Sequence, residues 1–232
     1  MKVAENKTIR GALALMKFKG YKVNERPYEL NILGVRKNST IPNKFDDKLY
    51  AFWKDDKGKW EGKYYNITTD PGTYWLNNPM NPQGTAIIKE GQYIDSHELG
   101  LHRGQYKALV QKNPVSVIRD YDRNAILDFY NGKEQKGLFG INIHRANSKG
   151  TTKSIDKYSA GCQVFENADD FENFLGLAEK HKDLYGNKFT YTIVDERALN
   201  RSVRRRFIYL LIGTGIVASV YFAYKKKLIF KK

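Results

Sequence analysis

The chain has one cysteine, Cys162, and four histidines, His97, His102, His144 and His181. An ordinary thiol is only slightly ionised at neutral pH, so a nucleophilic cysteine needs a base to take its proton or a cation to hold the thiolate. A lone cysteine excludes an intramolecular disulfide and a CxxC metal site. No two histidines have the HExxH or HxxxH spacing of a zinc helix. The pair best placed for thiol chemistry is His144 and Cys162. Gly140 to Phe165 reads GINIHRANSKGTTKSIDKYSAGCQVF: a short apolar run predicts a strand ending on His144, fourteen mostly polar residues follow, and then comes Ser159-Ala160-Gly161-Cys162. A loop this rich in Lys, Ser and Gly belongs at the surface, so the strand end and the thiol can meet at the rim of a sheet. Gly161 removes the side chain beside the thiol. The backbone N–H groups of Gly161 and Cys162 are then candidates to hold a developing oxyanion, commonly worth roughly 3 kcal/mol. The same residues also admit a plainer reading, a buried thiol and a histidine capping a strand edge.

A second polar cluster lies at Leu101-His102-Arg103-Gly104-Gln105-Tyr106. His102 and Arg103 are candidates to bind a substrate carboxylate, the guanidinium through a bidentate fork. Asp120, Asp122 and Asn124 alternate as in a calcium loop, but the sixth-position Gly and the closing Glu are missing, so the segment reads as a turn.

The elements that must carry these residues read as mainly β. Ile9 to Gly20 has helical spacing; the period then changes to two over Tyr28–Val35, Leu49–Trp53, Trp60–Thr68 and Thr73–Leu76, with a hairpin at Asp55–Lys59. Further strands are expected at Ala86–Ile88, Val115–Arg119, Ala125–Tyr130, Leu138–His144 and Phe189–Val194. Between the last two, Asn167 predicts the N-cap of a helix that buries Phe171, Phe174, Leu175 and Ala178 and closes at Gly186. The expected class is a β-sandwich or barrel with a few helices, plus a C-terminal transmembrane helix.

That last helix is expected over 207–224, eighteen residues without a charge between Arg204–Arg206 and Lys225–Lys227. At 1.5 Å per residue it spans about 27 Å, and its tyrosines lie near the ends, where a bilayer interface favours them. The chain divides into a lead-in (1–27), a main domain (28–196), a basic linker (197–206), the span (207–224) and a basic tail (225–232). Both flanks are basic, so the positive-inside rule assigns no orientation. No secretory signal peptide is expected ahead of the main domain. Nine of the forty Lys and Arg lie beyond residue 199 with no acid among them, which leaves +6 of the net +15 for the rest. That mild excess suits a polyanionic surface and is not the mark of a nucleic-acid binder.

The His144–Cys162 stretch resembles the catalytic motif of the L,D-transpeptidases, the YkuD-like family: a His, fourteen to seventeen residues, then Ser or Thr, His, Gly and Cys. Upstream, Thr69-Asp70-Pro71-Gly72-Thr73-Tyr74 is similar to that family's Thr-Pro-x-Gly-x-Phe stretch. The likeness covers about residues 60 to 195 and is strongest to versions encoded by bacteriophages. It implies a mainly β catalytic fold, Cys162 as nucleophile, His144 as general base and the backbone carbonyl of Arg145 orienting the imidazole. Ser159 then belongs to the motif and Gly161 to the oxyanion hole. The implied substrate is a peptidoglycan stem peptide, cut between a diamino acid and D-Ala through a thioester on Cys162, with no cofactor. Two positions depart from the family. Ala160 stands where it has its second His, and Gln163 where it has an apolar residue; both fall at expected substrate-binding positions. Transpeptidation and hydrolysis both remain open, as do a sortase-like transpeptidase and a catalytically degenerate wall-binding or virion accessory protein.

Overall fold

The computed structural model describes residues 2–3 and 6–199. In chain order the elements are β1 (Lys2–Val3), α1 (Asn6–Phe18), β2 (Asn31–Arg36), β3 (Asp47–Lys54), β4 (Trp60–Thr68), α2 (Thr73–Asn77), β5 (Thr85–Ile88), β6 (Gly91–His102), β7 (Tyr106–Gln111), β8 (Val115–Asp120), β9 (Glu134–Gly137), β10 (Ile143–Arg145), β11 (Gln163–Phe165), α3 (Ala168–Tyr185) and β12 (Phe189–Asp195). The main sheet runs β1-β4-β11-β10-β7-β6-β12-β2-β3, and β3 also pairs with β4. That extra pairing closes eight of the strands into a barrel, which removes their free edges. β5, β8 and β9 form a separate small sheet. Two pairs in the barrel are parallel, β10 with β11 and β12 with β2.

Alternation explains how the strands are buried on both faces. In β2, Ile32 enters the main core while Leu33 and Val35 face a second core under α1; in β3, Leu49 and Ala51 take the first side, Tyr50 and Phe52 the second. α1 closes the second core with Ile9, Ala12, Leu15 and Met16. α3 packs Phe171, Phe174, Leu175 and Ala178 into the main core. Asn167 caps α3 by accepting from Asp170 N at 3.0 Å, and Gly186 ends it.

Several elements differ from the sequence pattern, each for a local reason. Thr73–Leu76 belongs to the helical turn α2, because the Gly72 carbonyl accepts from the N–H groups of Trp75 and Leu76. Ala125–Tyr130 is irregular: the N–H of Leu127 goes to Thr40 O, and those of Asp128 and Tyr130 go to the carboxylates of Asp120 and Asp128. Of the expected strand 138–144 only its end is strand, because the Gln111 side chain takes the N–H groups of Phe139 and Ile141. The long hairpin β6–β7 and the short β11 are strands that alternation does not reveal. The expected fold class needs one correction of substance. It joined a transmembrane helix to the β domain, yet no helix among the described residues is long and apolar enough to cross a membrane. The described architecture is mainly β with three helices, and 200–232, which includes the expected span 207–224, lies outside the described residues.

A buried charge cluster ties the ends of β2, β4 and β12 together. Arg36 is 1% exposed. Its Nε lies 2.8 Å from Asp70 Oδ1 and 2.9 Å from Thr69 Oγ1, its second guanidinium nitrogen bonds Thr69 O at 3.2 Å, and Asp195 is 3.5 Å away. Asp47 accepts from Thr69 N, Thr69 Oγ1 and Lys37 N. Burial pushes the carboxyls of Asp47 and Asp70 up, while Arg36 pulls both down. Removing one partner of a buried ion cluster strands the others and typically costs about 3–5 kcal/mol. Arg36→Met should therefore lose about that much stability in urea unfolding at pH 7. The loss should shrink toward pH 4 as the carboxyls take up protons. An unchanged midpoint at pH 7 would mean the cluster does not hold the barrel end.

Candidate active site

His144 lies in β10, and Cys162 immediately precedes the neighbouring strand β11. The parallel register of the two strands sets Ile143 against Gln163 and His144 against Val164. Side chains alternate along a strand, so Cys162, two residues before Val164, shares the His144 face. One strand spacing and two residues of rise put the two Cα atoms on the order of 8 Å apart, within reach of an imidazole and a thiol pointing to one another.

His144 is 3% exposed. Its Nδ1 lies 2.8 Å from Arg145 O and 3.2 Å from Tyr106 Oη, and Tyr106 Oη donates to the same carbonyl at 3.3 Å. A carbonyl only accepts, so Nδ1 carries the proton and Nε2 keeps its lone pair. Burial, then the neighbouring His102, Arg103 and Arg145, push the imidazole down to about 3, against only a partial rise from the Arg145 carbonyl. It is therefore a neutral base at neutral pH. Cys162 donates from Sγ to Gly140 O at 3.3 Å. Burial pushes its thiol up; the Asn142 backbone N–H and the charge of Arg103 offset this in part. The resting pair is thus a neutral thiol and a neutral imidazole.

The loop before Cys162 is held by backbone contacts. Gly161 has φ +117, and a Cβ there would lie 2.2 Å from Ala86 O, so this position requires glycine. Its N–H donates to Ser159 Oγ at 3.1 Å, and Ser159 Oγ donates to Cys162 O at 2.8 Å. Ser159 is thus a buried clamp, and the Gly161 amide is already bonded within the loop. The upstream Thr-Asp-Pro-Gly stretch docks directly here. Gly72 N donates to Ser159 O at 2.9 Å, and a Cβ on Gly72 would sit 2.0 Å from Asp156 O. Asn43 Oδ1 bridges the two segments by accepting from Thr73 N and Asp156 N.

The other expected site residues separate into distinct roles. Gln163 is fully buried, donating to Gly161 O at 3.2 Å and accepting from Tyr191 Oη at 2.7 Å, so it braces the loop from within. Ala160 is partly accessible. The Arg145 side chain points to Glu172, at 2.8 Å, and lies over the Tyr106 ring, while its carbonyl holds His144. Arg103 is exposed on the β6–β7 turn with φ +51, and its charge acts on His102, His144 and Cys162. His102 is not open like Arg103: it is 7% exposed and its ring stacks on His144, with centroids 4.0 Å and planes 24° apart. Sequence reasoning missed Asn142, Gln111 and Gly140, which carry no motif, and gave no role to Tyr106, although it lies in the cluster with His102. Among the described residues, no group of three or more His, Cys, Asp or Glu is arranged to hold a metal ion.

Family models, curated proteins and solved structures give no match to this chain.

Two outcomes follow from the geometry. Iodoacetamide should alkylate Cys162 with a rate that climbs to a midpoint above the ordinary thiol value of about 8.5. A rate plateau persisting to pH 5 would instead reveal a resting thiolate–imidazolium pair. Gly72→Ala should push the 155–159 segment off the 69–72 turn, seen as faster hydrogen exchange at residues 72 and 158–161 with core amides unchanged. Unaltered exchange there would refute the docking role.

Proposed function

We propose that the chain is a cysteine acyl-transfer enzyme acting on peptidoglycan stem peptides, with Cys162 as nucleophile and His144 as general base. The observation that carries this reading is the hydrogen bond from His144 Nδ1 to Arg145 O, which leaves Nε2 as a proton acceptor beside the strand that begins after Cys162. His97, by contrast, has both ring nitrogens tied, through Ser96 and Ile141.

The chemistry starts from uncharged partners. Sγ attacks the scissile carbonyl carbon as its proton passes to His144 Nε2, so charge separates only once substrate is in place. The Cys162 N–H is the candidate oxyanion donor, since the Gly161 N–H serves Ser159. Collapse breaks the C–N bond, the imidazolium returns its proton to the departing amine, and the acyl group remains on sulfur as a thioester. An incoming amine or water then gives its proton to His144 and displaces the thiol, yielding a crosslink or a trimmed stem. Arg103 is suited to the carboxylate of the departing D-amino acid, because it is a solvent-facing cation acting on both reacting groups. The choice of stem peptides as substrate rests on the likeness of the His-x14-Ser-x-Gly-Cys and Thr-Asp-Pro-Gly stretches to the L,D-transpeptidases.

The full chain incubated with defined tetrapeptide-stem muropeptides should release D-Ala, or form crosslinked dimers, as read by mass spectrometry. Cys162→Ala should abolish the product, and His144→Ala should lower the rate by about 10²–10⁴-fold. A product that persists in Cys162→Ala, or no product from any stem with wild type, would sink this reading.

A further inference from the structure

We propose that His102 is a positioning residue for His144, clamped by Asn142 with its proton on Nε2 and stacked so that the catalytic imidazole keeps its plane and its free Nε2. The inference rests on the reading of Cys162 and His144 as the reacting pair.

The proton position of His102 follows from a chain of hydrogen bonds. Gln111 N donates to Asn142 Oδ1 at 2.9 Å, which fixes which end of the amide is oxygen. The other end, Nδ2, therefore donates to His102 Nδ1 at 3.0 Å. A nitrogen that accepts carries no hydrogen, so His102 is protonated on Nε2. Gln111 is itself pinned: its Oε1 accepts from Phe139 N and Ile141 N, and its Nε2 donates to Gly137 O and Asn113 O. The clamp on His102 is thus anchored in the backbone of β7 and of the segment leading into β10.

Asn142 joins this clamp to the nucleophile. Its side chain holds His102, its carbonyl accepts from Gln163 N at 2.8 Å, and its N–H acts on the Cys162 thiol. The two imidazoles are therefore arranged alike. Each has Nδ1 fixed by the protein, and neither Nε2 has a partner among the described residues. One Nε2 accepts and the other donates. The groups touching or acting on His144 are His102 from the end of β6, Arg103 from the β6–β7 turn, Tyr106 from β7 and Arg145 from its own strand, and the β10–β11 register puts Cys162 on the same face. A cationic His102 in that stack would oppose the proton that His144 must accept, and Asn142, offering Nδ1 a donor, disfavours that form.

The test uses the full chain with 15N-labelled histidine. NMR of wild type should show His102 as the Nε2–H tautomer and His144 as the Nδ1–H tautomer. In His102→Phe, which keeps a ring in the stack, the His144 titration should move to higher pH, and the acid limb of Cys162-dependent turnover should move with it. Its kcat should fall by about tenfold to a hundredfold with KM nearly unchanged, the pattern of lost orientation. Asn142→Asp preserves the acceptor for Gln111 but reverses the bond to His102. It should depress turnover at pH 7 and recover it at higher pH as His102 loses its proton. An Nδ1–H tautomer on His102 in wild type, or a His144 titration unmoved in both variants, would overturn the proposal. If His102→Phe does not fold, Asn142→Asp decides. Because the NMR readout needs no substrate, a chain inert toward muropeptides would remove the stem-peptide reading and leave the positioning role to stand or fall on the titrations.

Discussion

A guanidinium sealed inside a barrel end has to be matched there, because desolvation of an unpaired charge would exceed what the surrounding packing contributes. Arg36 meets that condition with Asp70, Asp195 and the hydroxyl and carbonyl of Thr69. The match has a geometric consequence. It fixes Thr69 and Asp70, hence the turn through Pro71 to Gly72, and Gly72 is the point on which the loop before Cys162 rests. The Phe129 ring meets the guanidinium groups of both Arg36 and Arg197, so the 121–131 loop is held by the same cluster. The 69–72 turn and the 155–162 loop, far apart in sequence, are thus one structural unit. The first is the base plate of the second.

Within that unit the electrostatics favour uncharged reactants. His144 and His102 are both held well below the ordinary imidazole range, chiefly by burial, and the Cys162 thiol is held above its own. A resting ion pair would place opposite charges in a region with little water to support either. A neutral pair avoids that cost. The same burial bears on stability. A histidine with a depressed folded pKa contributes stability that is present above its unfolded value near 6.5 and lost as pH falls toward the folded value. With His97, His102 and His144 shifted to about 4, 4 and 3, the barrel core that carries the site is built for neutral rather than acidic conditions.

Much of this was legible in the sequence where one physical signal dominated. Alternation located β3, β4 and β8 because apolar side chains had to reach a core on every second residue, and Asn167 and Gly186 marked α3 because helix ends need a cap and a release. Alternation failed for β6, GQYIDSHELGLH, since its buried positions include Ser96 and His97, which are satisfied by hydrogen bonds rather than by apolar contact. It failed for residues 138–142 because a distant side chain, Gln111, replaces the ladder partner. The candidate pair His144 and Cys162 could be read from its spacing, whereas Asn142 and Tyr106 could not, because their contacts arise only when β7 and β10 lie side by side. His102 was legible as a polar residue of interest but not as a stacked one. A sequence shows that an imidazole exists, not which face it presents.

This last point bears on the departure at Ala160. In the family that the His144–Cys162 stretch resembles, the residue before the glycine is a second histidine. Here that residue is alanine, and the second imidazole beside His144 comes from the end of β6. His102 is the last residue of the twelve-residue β6; there it pairs with β7, opposite Tyr106, while the pairing of β6 with β12 ends at His97. The Nδ1 of His102 is held by a side chain whose own orientation is set by backbone. A ring held at Nδ1 and stacked on one face has a narrow range of positions. An alanine at position 160 is thus compatible with two imidazoles lying side by side. The second ring sits at the end of β6, where the Asn142 side chain holds it and the Asn142 carbonyl accepts from Gln163 N.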